Sequence, residues 1–230
     1  MENENIYSKR IVWVDTAKFA AIFAVMVDHT AKILYNDLRI QRISFFSVGL
    51  FILLMGITAY HSFEKGKFSI RKKLCGILPP YITATVIYCL FSYQFFDLET
   101  VLKHIVFFNA SGPLYYVLLY IQLVIISPIV YKTLKSAEQI RFHVVIECFL
   151  LVPILFISGW MTKNSNILSV YGGGGKLFGG SYLVLLYLGM WFAKYYPKIN
   201  LKKTNIIFFP GFARFFLWLG TYNWSVWFYT

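Results

Sequence analysis

The 230-residue chain is 58% apolar and 20% aromatic, and only 14% of its residues carry charge. A soluble domain has about 25% charged residues, so a soluble globular fold is excluded and a lipid-solvated one is implied. The formal net charge of +12 would suggest nucleic acid in a soluble protein, but here the basic residues sit in short connections between apolar runs. The positive-inside rule accounts for them there, and nucleic-acid binding is set aside.

A membrane span needs about 20 mainly apolar residues. That length predicts spans at 11–31, 43–62, 74–93, 113–132, 143–160 and 178–195, with a seventh starting near Ile206 and running to the end. The first is a retained span rather than a signal peptide. It is too long for an h-region, it contains Asp15 and Lys18, and no small-x-small site follows. With the N-terminus in the cytoplasm, fourteen Lys and Arg residues fall on the inner side against six outside, which orients the chain N-in. The expected fold is all-α: one polytopic transmembrane helical bundle of about seven spans, with 1–230 a single membrane domain that is incomplete at its C-terminus.

Two connections stand out. Phe95 to Ser111 mixes aromatics with Asp97, Glu99, Lys103 and His104, and is expected to lie along the outer interface as a short amphipathic helix. Gly172-Gly173-Gly174-Gly175-Lys176 lacks the first glycine and the Ser or Thr of a Walker loop, having Val170 and Leu177 there instead. It is read as a flexible outer loop. Cys75, Cys89 and Cys148 show neither disulfide nor zinc-ligand spacing and are read as small packing residues; no metal site is expected.

The first span holds the most informative residues. A charge at a helix centre costs at least about 2.5–3.5 kcal/mol on insertion scales, so it usually faces the bundle or a wet cavity. At about 100° per residue, Lys18 and His29 differ by only about 20° around the axis and stand about 16 Å apart along it. Asp15, three residues before Lys18, can pair with it. Asp15, Lys18 and His29 thus form a polar stripe. A snorkelling ion pair explains Asp15 and Lys18 equally well when taken alone; three residues aligned on one face favour function.

A second concentration is Lys65-Gly66-Lys67-Phe68-Ser69-Ile70-Arg71-Lys72-Lys73, followed by Leu78-Pro79-Pro80-Tyr81. It reads as a positive-inside anchor or as a cationic surface for a phosphorylated donor. Pro79-Pro80 is expected to break or bend the third span near its start.

In this order the pieces resemble the integral membrane acyltransferase 3 family, which includes bacterial O-acetyltransferases of surface polysaccharides. Asp15-x-x-Lys18 with His29 is similar to its first-span pattern. Phe45-Phe46-Ser47-Val48-Gly49-Leu50-Phe51 through Gly56, Arg71-Lys72-Lys73 with Leu78-Pro79-Pro80-Tyr81, Gly112-Pro113-Leu114-Tyr115-Tyr116 and Leu219-Gly220-Thr221-Tyr222-Asn223-Trp224-Ser225 resemble later family segments.

The resemblance implies a bacterial inner-membrane enzyme that moves an acyl group from acyl-CoA, usually acetyl-CoA, to a hydroxyl of a cell-surface glycan or its lipid-linked precursor. It implies that His29 is general base or transient acyl carrier. Lys18, supported by Asp15, places the donor or keeps the path polar, and Arg71, Lys72 and Lys73 hold the CoA phosphates. The alternatives are a polysaccharide or lipid exporter whose charges line a pathway, and an inactive shortened relative.

Overall fold

The computed structural model describes residues 12–34, 46–93, 97–108, 110–111, 114–163 and 182–196. Among them are seven helices and no strand: α1 Val12–Leu34, α2 Phe46–Glu64, α3 Ile70–Tyr93, α4 Leu98–Phe107, α5 Tyr115–Glu138, α6 His143–Lys163 and α7 Leu183–Tyr195. The first six expected spans each meet a helix, and α4 is the short helix expected in the third connection. The expected seventh span and the Gly172–Gly175 run lie outside the described residues. Four helices (α2, α3, α5 and α6) are long and apolar enough to cross a membrane by themselves. At 23 residues α1 is also long enough; Asp15, Lys18, Asp28 and Lys32 set its composition apart.

The chain divides into two compact units, Met1–His61 with Leu188–Thr230, and Ser62–Tyr187. In the first, α2 is the buried helix. Ile52 through Ile57 are buried without a break, which on a 3.6-residue turn covers every side. The C-terminal part of α7 crosses it at backbone range. A Cβ built on Gly189 would fall well inside contact distance of the Leu53 carbonyl oxygen and 3.1 Å from the Gly56 Cα. Small residues set how close two helices can come in lipid, and here the crossing depends on hydrogen at position 189. The first turn of α1 joins this unit through Trp13, whose indole N–H donates to the Tyr196 hydroxyl at 3.0 Å and whose ring meets Phe192 edge-on.

In the second unit α3 packs on α4 and α5, and α5 on α6. Its outer apolar faces are exposed, among them Ile87 and Phe91 on α3 and Phe149, Phe156 and Trp160 on α6. That inversion of a soluble surface is what lipid requires. Burial separates the cysteines. Cys89 packs with Val101 and Ala110 as a small apolar residue should, whereas Cys75 and Cys148 are exposed thiols rather than core filler.

Two local expectations are corrected. The helix of the third span starts at Ile70, four residues before the expected 74, and takes Arg71, Lys72 and Lys73 into its first turn. Ser69 is the cause: its hydroxyl accepts the Lys72 backbone N–H at 3.4 Å, so the helix begins at a cap rather than where the apolar run begins. Of the break or bend expected at Pro79 and Pro80, the break does not occur: the helix continues through both to Tyr93. They cannot donate to the carbonyls of Cys75 and Gly76. Those four residues all lie on the exposed side, where water or headgroups can satisfy the freed oxygens.

Candidate active site

The sequence-derived stripe lies wholly on α1. Lys18 Nζ and Asp15 Oδ1 are 3.9 Å apart, with both side chains about 40% exposed. That separation makes an ion pair without hydrogen-bond geometry, so either group can turn to another partner at small cost. Val14, Ala21 and Ala24 mark the buried face of α1, while Phe19, Phe23 and Met26 are exposed. Asp15 and Lys18 fall between, at the edge of the buried face rather than inside it. Their rotation about the axis is fixed one turn away by Trp13, through its hydrogen bond to Tyr196 and its tilted ring contact at 5.6 Å. His29 stands in the same helix, eleven residues and about three turns beyond Lys18; the placement of its side chain lies outside the described residues.

The second candidate is in the Ser62–Tyr187 unit. Arg71 and Lys72 are exposed in the first turn of α3, and neither forms an ion pair among the described residues. Lys73 is half-buried and lies 5.3 Å over the Phe68 ring, a cation–π contact. A helix N-terminus carries about half a positive charge, so three cations in that turn repel both one another and the helix dipole. An anion at this end would relieve both. Helix N-termini bind phosphate for the same reason.

What the sequence did not announce is the cluster that holds this turn in place. Glu64, the last residue of α2, accepts the Tyr131 hydroxyl at 2.8 Å and pairs with Lys135 at 2.9 Å. Lys135 also reaches Glu138 at 3.3 Å. Beside them Phe68, Phe63 and Tyr131 form a continuous stack, with centroids 3.9 Å and 4.4 Å apart. Gly66 makes the intervening turn at φ +63°, a conformation that suits glycine. The whole connection Lys65–Ser69 is therefore clamped to α5. The only local signal was the Tyr131, Lys135, Glu138 spacing on one helix face; the contact with Glu64 spans 67 residues.

One consequence is testable. Charge-assisted hydrogen bonds contribute about 1.5–3 kcal/mol each when partly buried, less as exposure rises. Glu64→Gln should lower the melting temperature in detergent. Lys135→Met should cost less in the Glu64→Gln background than alone, because there Lys135 keeps only its pair with Glu138. Strictly additive losses in the double variant would show that the pair is not coupled.

No curated protein and no solved structure gives a significant match to the chain. The family model described as an acyltransferase domain matches residues 11–230, nearly the whole chain. That match takes in the α1 stripe, the basic turn of α3 and every described helix. The chain is a membrane protein and belongs to the acyltransferase 3 family.

Proposed function

We propose that the protein is a bacterial inner-membrane O-acyltransferase that moves an acyl group, acetyl in the first instance, from acyl-CoA to a hydroxyl of a cell-surface glycan or its lipid-linked precursor. Its support is the family match over 11–230 together with the Asp15–Lys18 pair and His29 on one helix. In α3, Arg71 and Lys72 hold donor phosphates at the cytoplasmic end, with Lys73 behind them on Phe68. In α1, Lys18 keeps the path beside His29 polar, and Asp15 is a positioning residue for Lys18. The residues present fit an anionic donor: exposed cations at a helix N-terminus, and no carboxylate paired with Arg71 or Lys72 among the described residues.

The chemistry assigned to His29 is proton transfer. Its imidazole accepts the acceptor hydroxyl proton as that oxygen bonds to the thioester carbon; the C–S bond then breaks and the CoA sulfur leaves as thiolate or takes up that proton. An imidazole that first accepts the acyl group itself gives the same balance in two steps. The stripe's length of about 16 Å suits a donor with an extended arm.

Sidedness tests the donor assignment. Inside-out vesicles carrying the chain should transfer acyl groups from added acyl-CoA, whereas sealed right-side-out vesicles should not. Arg71→Glu with Lys72→Glu should raise the KM for acyl-CoA by about ten- to a hundredfold, as loss of two exposed charge contacts of about 1 kcal/mol each would, with kcat less affected. An unchanged KM would remove Arg71 and Lys72 from the donor site.

A further inference from the structure

Among the described residues of α3, the buried ones form a single stripe: Tyr81, Thr85 and Cys89, four residues apart. Helix α4 runs along it. Val101 packs with Cys89, and Ile105 lies against the same cluster beside Val86. Further down, the Tyr81 hydroxyl donates to the carbonyls of Ile105 and His104, at 2.8 and 3.2 Å, and the Tyr81 ring stacks on Phe108 at 4.6 Å. Later residues of α4 meet earlier residues of α3, so the two helices are antiparallel.

That register fixes a depth. With the N-terminus inside, Tyr93 is the outer end of α3. Cys89 stands four residues, about 6 Å, below it, and Tyr81 twelve residues, about 18 Å. In a helix of 24 residues, Tyr81 is at the middle. A helix lying along the outer interface, as the sequence leads one to expect, would meet only the last turn of α3. Instead α4 descends: its ten residues cover about 15 Å, half the roughly 30 Å hydrocarbon core.

The chain then turns back. Phe108 closes α4 in the left-handed region at φ 54°, which is uncommon for a residue with a side chain. Ala110 is buried in the Cys89–Val101 cluster and Leu114 lies against it, so the chain has climbed again before α5 starts at Tyr115. Irregular backbone at membrane depth must be satisfied by protein or by water. The Tyr81 hydroxyl does so for two of the last carbonyls of α4.

The far side of α4 carries charge. Glu99 and Lys103, paired at 2.6 Å and well exposed, stand about 160° round the helix from Val101. Lys103 lies between the levels of Cys89 and Tyr81. Charge at such depth faces water or protein rather than lipid, and Lys103 reaches back toward Glu99, toward the outside. Beside the pair, Leu98, Leu102 and Val106 form an exposed apolar edge suited to lipid.

We propose that α4 is a re-entrant half-helix. It enters the outer leaflet along α3, ends at Tyr81 near the middle of the bilayer and returns toward the outside through 110–114. Its Glu99–Lys103 edge faces water that reaches it from the outer side. In acyl transfer this edge gives a polar hydroxyl acceptor a wet route down to mid-membrane depth. That role rests on the acyl-transfer reading, whereas the depth of α4 does not.

The test uses the full chain in phosphatidylcholine–phosphatidylglycerol vesicles, with the exposed thiols removed as Cys75→Ala and Cys148→Ala. A fluorophore is attached to Leu98→Cys in one variant and to Val106→Cys in another. Lipid spin-labelled near the headgroup should quench the Leu98→Cys label several-fold more than lipid spin-labelled deep in the acyl chain, and the Val106→Cys label the reverse. Leu102→Cys, between them, should fall between, so that one misfolded variant does not decide the matter. Equal shallow quenching at all three positions means a helix in the interface plane and overturns the proposal. Tyr81→Phe keeps the ring and removes the hydroxyl, and should make the Val106→Cys label shallower; an unchanged depth would deny the hydroxyl its part. An impermeant maleimide should reach Lys103→Cys from outside intact cells, and failure to react would remove the wet edge. The same modification should slow acyl transfer several-fold. Unchanged transfer would take the acceptor route away from α4, while the quenching results, which need no donor, would stand.

Discussion

His29→Ala should lower acyl transfer by about 10²–10⁴-fold, the usual contribution of a positioned acid–base group, while the chain still inserts and runs as a single species in detergent. The size of the effect follows from the role. An imidazole that removes the hydroxyl proton, or carries the acyl group, acts in the bond-making step; its neighbour Asp28 stands about 100° away around the helix, and Asp15 and Lys18 lie about three turns away. His29→Gln keeps a polar side chain of similar length and should be as inactive, because an amide accepts no proton near neutral pH. Near-normal activity in His29→Gln would leave His29 as a polar headgroup-facing residue. Activity must be compared at equal inserted protein.

Gly189→Ala should damage the fold more than the same change at Gly76 or Gly159. Its Cβ would press on the Leu53 carbonyl, which is backbone in the middle of α2 and cannot turn aside. Overpacking in a close-packed site costs about 1–3 kcal/mol and more when backbone must move. Gly76 and Gly159 also lie inside helices, but a Cβ there meets nothing within 4 Å. Gly76→Ala and Gly159→Ala should be neutral or stabilising by about 0.5–1 kcal/mol, from the lower helical entropy cost of alanine. Fluorescence-detected gel filtration after heating separates the three variants. A Gly189→Ala chain as heat-stable as the other two would mean that α2 and α7 do not cross at backbone range.

The residues explain what could be read from the sequence and what could not. Helices in lipid announce themselves by length and apolarity, so α2, α3, α5 and α6 lie close to the expected spans. The Asp15–Lys18 pair follows from a three-residue spacing on a single helix. Boundaries moved where a local cap outweighed hydropathy, as at Ser69. The proline pair proved compatible with helix because the carbonyls it frees lie on an exposed side. The Glu64 clamp and the Gly189 crossing depend on which helices become neighbours. No periodicity along one segment encodes a contact between residues 64 and 131 or between 53 and 189. Gly189 looks in sequence like any glycine tolerated in a membrane helix.

The most direct measurement is acyl transfer from radiolabelled acetyl-CoA in membranes expressing this chain, beside His29→Ala and Lys18→Ala, with host membranes as background. Label should enter a glycan fraction with the unmutated chain, stay at background with His29→Ala, and show a smaller but clear loss with Lys18→Ala. Equal labelling by all three would contradict the roles assigned to the stripe. Background labelling by well-inserted, unmutated chain would contradict acyl transfer itself, and export of unmodified glycan by the same membranes would then favour a carrier.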